Sequence, residues 1–503
     1  MYNNITLNNF RNSTLLKYVS CIFLALVADV FFFGHRPGWT SGVFTLLLCG
    51  IYILHTNNIY INGRAKILLV LIAGQAIALF ESSNWISYLL IITGFLLLIF
   101  LQKTQIYHSV RQFISFALKV CLRFFVTPII DVLTTLKFHN RNSSGYIYNA
   151  LSNWVVPILF SIVFVLLFAL ANPIIESWVK KIDLYLVFKY LSISRIMFWL
   201  LMLSICWIVI RPRRLIRFVK LSPANKSRYS NVNAFSNSLI IRALVMFNII
   251  FAFQTAMDIS YLWGGAKLPD GMTYAKYALK GAYPLMVTAI LAAIFVLISM
   301  KPNSESARSE AIRKLVYAWI CQNILLVISS IWRLVIYIQA YQLTGLRVAA
   351  LIWMGLVAFG LSMIIVRIIN KKDNFWLINT NFVALFSVLY ICSFLNFGGI
   401  VAEYNVNNSY EYKGTGKQLD YYYLQRNIGV EALPALVKLK GVMESKRTST
   451  KRLNETIQYI NKKCYRCFEV LPSPDARIKP AKNWRQWTYR QYRIEKYLTK
   501  EGF

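Results

Sequence analysis

Apolar runs of membrane-crossing length recur along this chain, separated by short polar links. A helix needs about 20 apolar residues to cross roughly 30 Å of hydrocarbon. On that measure hydropathy places about eleven spans. They fall near 15–33, 42–56, 67–80, 86–101, 154–172, 190–210, 240–258, 283–300, 315–337, 347–369 and 376–397. The predicted fold is all-α: a polytopic transmembrane helical bundle with a small C-terminal helical extramembrane domain. Several of the first four spans are shorter than ideal, which calls for little tilt or a locally thinned bilayer.

The pattern divides the chain into four parts. Residues 1–101 hold four spans with short loops. Residues 102–152 break the rhythm, because Arg111 to Lys137 is apolar yet carries Lys119, Arg123 and Asp131. Lys119 and Arg123 share one helical face, so a basic amphipathic helix on the anionic cytoplasmic leaflet is expected. The other reading, that 111–137 crosses, inverts every later orientation. Residues 153–399 form a core of seven spans. Residues 400–503 are polar and rich in Tyr, Lys and Arg, and about a hundred residues can build a modest core. Within them Gln418 to Lys440 has the spacing of one or two short helices, with Pro434 opening the second.

Composition agrees with a membrane protein. The chain of 503 residues is 57% hydrophobic and 15% charged, against roughly 25% charged in soluble proteins. Its formal net charge of +35 does not point to nucleic acid, because the placement of the charge matters more than its sum. Lys and Arg gather in the links at 102–152, 211–239, 301–314 and 370–375, with Arg211, Arg213, Arg214 and Arg217 in one of them. The alternate links at 81–85 and 338–346 are nearly free of them. Positive-inside counting therefore predicts a cytoplasmic N-terminus and, with an odd number of spans, an exported C-terminus. No small-residue cleavage site follows the first apolar run, so that helix is expected to be retained.

Polar groups within spans are costly in lipid and invite a functional reading. Asn248, Gln254 and Asp258 lie in one span, and Gln322, Asn323 and Arg333 in another. Asp258 and Arg333 each sit about 18 residues into their helices, roughly 27 Å along the axis. They are expected to face each other above a layer of amides. Such a set either joins two helices or lines a pocket. Between the spans at 240–258 and 283–300 runs YLWGGAKLPDGMTYAKYALKGAYP, Tyr261 to Pro284, a loop shaped by Gly and Pro turns. Its Asp270, Tyr274, Tyr277, Lys280 and Tyr283 are candidate ligand contacts, and equally candidate interfacial anchors.

Other chemistry is sparse. Cys464 and Cys467 form a CYRC pair, read as a disulfide or two plain thiols rather than half a zinc site. The four histidines have no ligand spacing, and neither a nucleophile-elbow nor a phosphate-loop motif occurs. No metal and no cofactor is expected. Asp29, Arg195 and Arg367 sit near span ends, where solvation or snorkelling suffices.

The phrases LWGGAKLPDGMTYAKYALKGAYPL, WICQNILLVISSIWRL, YQLTGLRVAALIWMGLV and LDYYYLQRNIGVEALPAL resemble a group of bacterial multi-pass membrane proteins. That group is domain-of-unknown-function 4173, a relative of group 4153, and the resemblance covers about residues 150–440. It implies a bacterial inner membrane and no particular activity. One departure stands out: where relatives are expected to read Tyr-Ala-His-Arg-Gly, this chain has Leu279 and Lys280. The imidazole is absent, and Lys280 keeps the charge without a bidentate guanidinium, which weighs against catalysis there.

Three functions remain open from the sequence. The first is a structural or signalling protein meeting an envelope partner through the loop and the C-terminal domain. The second is a transporter or lipid-handling protein with a polar path past Asp258, Arg333, Asn248 and Gln322. The weakest is an intramembrane enzyme acting on an envelope lipid or glycan through Asp270 and Tyr274. The lipid bilayer is the one partner that all three share.

Overall fold

The computed structural model describes residues 14–56, 63–104, 110–128, 130–131, 192–211, 236–260, 308–466 and 484–501, with 157, 161, 287–288, 291 and 294–295. Among these residues the chain is helical, with no β-strand. Six helices are long and apolar enough to cross a membrane. Two compact units are present, one of residues 1–80, 91–107 and 111–221, the other of 81–90, 108–110 and 222–503.

The first unit contains α1 (Thr14–Phe32), α2 (Thr40–His55), most of α3 (Gly63–Glu81), the later part of α4 (Trp85–Thr104), α5 (Val110–Leu122) and α6 (Ile193–Ile210). Helix α1 runs antiparallel to α6: Tyr18 stacks on Trp207 at 4.6 Å, and Asp29 meets Arg195 near the other end. Gly42 lets α2 approach α3, since a Cβ there would come within 2.6 Å of the Ala76 carbonyl oxygen. Helix α5 has 13 residues, about 20 Å of axis and short of a full crossing. Its Phe116 and Val120 pack on Ile99, Phe100 and Ile208.

The second unit is built on four longer helices: α7 (Asn237–Asp258), α8 (Glu310–Tyr341), α9 (Gly345–Ile369) and α10 (Asn374–Cys392). Apolar residues of all four share one core around Leu244, Trp319, Ile320, Met354, Leu361 and Leu377. Helix α8 is longer than its apolar run at 315–337 because Glu310, Arg313 and Lys314 continue the helix as a polar first turn. Its 32 residues span about 48 Å, so it projects beyond the hydrocarbon. It stops at Gln342, whose φ of 66° is unusual for a residue other than glycine. Thr344 and Asp373 then cap α9 and α10 by accepting hydrogen bonds from the Arg347 and Trp376 amides.

The residues after α10 fold back on one end of these helices. They comprise α11 (Phe397–Asn407), a set of short turns over Tyr410–Ala432, α12 (Leu433–Ser445, with Pro434 in its first turn), α13 (Lys451–Arg466) and α14 (Tyr489–Lys500). Ala402, Val406, Leu424, Leu436, Leu439, Leu453, Ile457 and Ile494 are the centre of their own core. Val401 joins Ile338 and Leu343 in a second cluster that ties this segment to the α8–α9 turn. Asn405 completes the tie by pairing both ways with the Leu343 backbone: the Leu343 amide donates to Oδ1 at 2.7 Å, and Nδ2 donates to the Leu343 carbonyl at 2.8 Å. The link at 81–84 lies at the same end, where Asn84 Nδ2 donates to the Ser393 carbonyl at 2.9 Å. The basic turn Lys371–Lys372 and the charged start of α8 lie at the opposite end.

Candidate functional site

Helices α7 and α8 run parallel, with Asn248, midway along α7, beside Leu315 near the start of α8, and Asp258 beside Arg333 farther along. The return between them leaves Phe295 against Phe247 and Trp319, with ring centroids 5.3 and 5.9 Å away. That aromatic packing joins the two helices. The last residue of α7, Asp258, lies against the Arg333 guanidinium.

The resulting site is buried and dense in polar contacts. Arg333 and Asp258 form an ion pair with side chains 2% and 3% exposed. Gln254, one turn before Asp258, donates Nε2–H to Oδ1 at 2.9 Å. Ser329, one turn before Arg333, donates its hydroxyl to Oδ2 at 2.6 Å. Both carboxylate oxygens are therefore occupied, which is what a buried charge requires. Chemically the group ties α7 to α8, the carboxylate accepting from Arg333 and Gln254 at Oδ1 and from Ser329 at Oδ2.

The amides expected below the pair do not form one layer. Asn248 Nδ2 donates to its own-helix Leu244 carbonyl at 2.7 Å and across to the Leu315 carbonyl at 3.1 Å. Asn323 Nδ2 turns to the Trp319 carbonyl on its own helix at 2.8 Å. The register explains the separation: Asn248 lies level with Leu315, about two turns of α8 before Gln322. The Asn248, Gln322 and Asn323 side-chain oxygens have no hydrogen-bond partner among the described residues. Ser329 was missed from sequence because a serine in an apolar run signals nothing until a partner helix is known.

The first unit holds a comparable pair. Arg195 Nε donates to Asp29 Oδ1 at 2.9 Å, Nη2 reaches Oδ2, and Trp199 Nε1–H donates to Oδ1 at 2.9 Å. Arg195 also lies 5.1 Å over the Phe33 ring. Solvation alone does not describe Asp29, since its side chain is 10% exposed and that of Arg195 24%. Arg367 departs from expectation too: it is 3% exposed within the second unit rather than extended to water.

The candidate loop contacts Asp270, Tyr274, Tyr277, Lys280 and Tyr283 lie outside the described residues, as do the side chains of Cys464 and Cys467. Among the described residues no three His, Cys, Asp or Glu side chains cluster as metal ligands.

No curated protein and no solved structure matches the chain. A family model described as Domain of unknown function (DUF4153) matches residues 67–439. This is group 4153, which the sequence phrases suggested as a relative of 4173, and its match begins well before residue 150. Covering most of the 503 residues, the match places the chain in the DUF4153 family of domains of unknown function.

Proposed function

We propose that this multi-pass membrane protein is a structural or signalling component of a bacterial envelope, its Asp258–Arg333 group acting as a helix clamp rather than a transport site. The observation that carries this reading is the burial of the Asp258–Arg333 pair, 3% and 2% exposed, with Gln254 and Ser329 also donating to the carboxylate. A carboxylate that binds and releases cargo needs an open position and a route to water. With the clamp spent on joining α7 to α8, the surfaces left for function are the 261–284 loop and the C-terminal helices.

The orientation follows the same logic. The links at 81–84 and 342–345 and the segment from Phe397 onward share one end of the second unit. Lys371, Lys372, Arg313 and Lys314 lie at the other. Positive-inside placement makes the basic end cytoplasmic and the tail periplasmic. About eleven spans in an inner membrane, with a likeness to group 4173, complete the proposal. Cross-linking in native membranes tests it: Lys280→Ala, Tyr274→Ala or truncation within 411–440 should reduce recovery of a protein adduct. Unchanged recovery from all three counts against the partner reading.

A second reading draws on the unpartnered amide oxygens of Asn248, Gln322 and Asn323. Such groups suit a polar ligand or lipid headgroup passing between α7 and α8. If Asp258→Asn abolishes uptake or lipid movement in a protein that still folds, transport replaces the scaffold reading.

A further inference from the structure

Helix α14 carries a surface that the clamp and the partner reading leave unused. Tyr489, Tyr492, Arg493, Lys496, Tyr497 and Lys500 recur at spacings of three and four, so they form one stripe along the helix. All six are exposed, the tyrosines at 46%, 44% and 37%. Arg490, Ile494 and Leu498 occupy another face and are buried, Ile494 and Leu498 within the tail core. Trp484 and Trp487, just before the helix, are 49% and 39% exposed. The outward face thus consists of aromatic rings and cations, with the Arg493 guanidinium 5.0 Å over the Tyr489 ring.

The position of the stripe indicates what covers it. Arg490 and Arg493 both pair with Glu81, in the link that leads into apolar helix α4. Asn84 in that link holds the Ser393 carbonyl, where apolar helix α10 ends. Trp85 opens α4 at 71% exposure, and Tyr337, Tyr341 and Tyr390 lie near the same ends of α8 and α10. Aromatic side chains gather where spans leave the hydrocarbon. Helix α14 is therefore fastened at headgroup level, and interleaved rings and cations are the chemistry of a helix lying in an anionic interface.

We propose that the Tyr489–Lys500 face binds anionic phospholipid headgroups of the leaflet from which α10 emerges. The tyrosine rings enter the interface, and Lys496 and Lys500 meet the phosphates. The proposal stands apart from the partner reading and leaves the opposite faces of the tail for a protein.

The test uses full-length protein in nanodiscs of phosphatidylcholine alone or with one-third phosphatidylglycerol. Acetylation rates of Lys496 and Lys500 are followed by mass spectrometry, with exposed Lys451 as internal control. The expected result is about fivefold slower acetylation at Lys496 and Lys500 in the anionic discs, with Lys451 unchanged. High salt should erase the difference. Tyr489→Ser/Tyr492→Ser/Tyr497→Ser should also erase it while keeping the wild-type thermal midpoint, since all three rings are exposed. Should that variant fail to fold, the wild-type comparison alone decides. Equal rates in the two discs, or equal slowing at Lys451, overturn the proposal. So does protection seen in native membranes but absent from anionic discs, because an acidic protein would then be the occupant.

Discussion

Removing the Asp258 carboxylate should be among the most damaging single changes to the second unit. Asp258→Ala leaves the Arg333 guanidinium at 2% exposure without its counter-ion, and Gln254 and Ser329 without their acceptor. Stripping one partner from a buried ion pair costs about 3–5 kcal/mol. The serine hydroxyl can turn back to a carbonyl on its own helix, and the glutamine is only part-buried, so together they add about 1 kcal/mol. Asp29→Ala is the internal comparison: its arginine is 24% exposed, so partial hydration should hold the loss to about 1 kcal/mol. The assay is reversible unfolding in mixed micelles of dodecylmaltoside and dodecyl sulfate, run as a cycle with Arg333→Met and the double variant. Each single change at the clamp should cost several kcal/mol, and the double should cost about 3 kcal/mol less than the sum of the two. Losses below about 1 kcal/mol, or losses that simply add, would refute the clamp.

Three further outcomes follow from the tail. Asn405→Ala exposes two unpaired backbone groups at Leu343 and should cost about 2–4 kcal/mol; faster tryptic release of the tail is the measurement. At Gly398 an added Cβ would lie 1.8 Å from Glu431 Oε2 and 3.1 Å from its Cβ, while Arg490 holds that carboxylate at 2.9 Å. Gly398→Ala should therefore lower the thermal midpoint in wild type and have much less effect beside Glu431→Ala. Burial, reinforced by Glu411 and partly offset by Arg452, pushes the Tyr421 phenol up to about 12. Its unfolded value is about 10, so the neutral form favours the fold, and this stabilisation is full below about pH 10. It is lost as pH rises toward 12, and a thermal-shift series should show that decline flattened in Tyr421→Phe.

Much of the helical plan could be read from hydropathy, because α8, α9 and α10 each carry an apolar run between polar ends. The Asp258–Arg333 meeting was legible because both residues lie at similar depth on helices running the same way. The amide layer was not, since parallel helices that cross do not stay level, and Asn248 comes opposite Leu315. Asp29 and Arg195 were read singly because their helices are antiparallel and 166 residues separate them. The Asn405 tie was invisible for another reason: a side chain pairing with backbone leaves no periodic or complementary signal in sequence. Gln342 belongs to the same class. Arg347 Nη1 donates to the Gln342 carbonyl, and the Gln342 side chain reaches the tail, Nε2 donating to the Gln418 carbonyl at 2.8 Å and Oε1 accepting from the Asp420 amide at 3.2 Å.

The most direct measurement is mass spectrometry of everything that co-purifies with the detergent-solubilised protein, proteins and small molecules together. It should compare wild type with the Asp258→Arg/Arg333→Asp exchange, which keeps a buried pair. The account predicts one enriched envelope protein, retained in the exchange variant and lost when the 411–440 segment is altered. A lipid or metabolite enriched with wild type and absent from a well-folded exchange variant would contradict it, and would make the clamp a binding site.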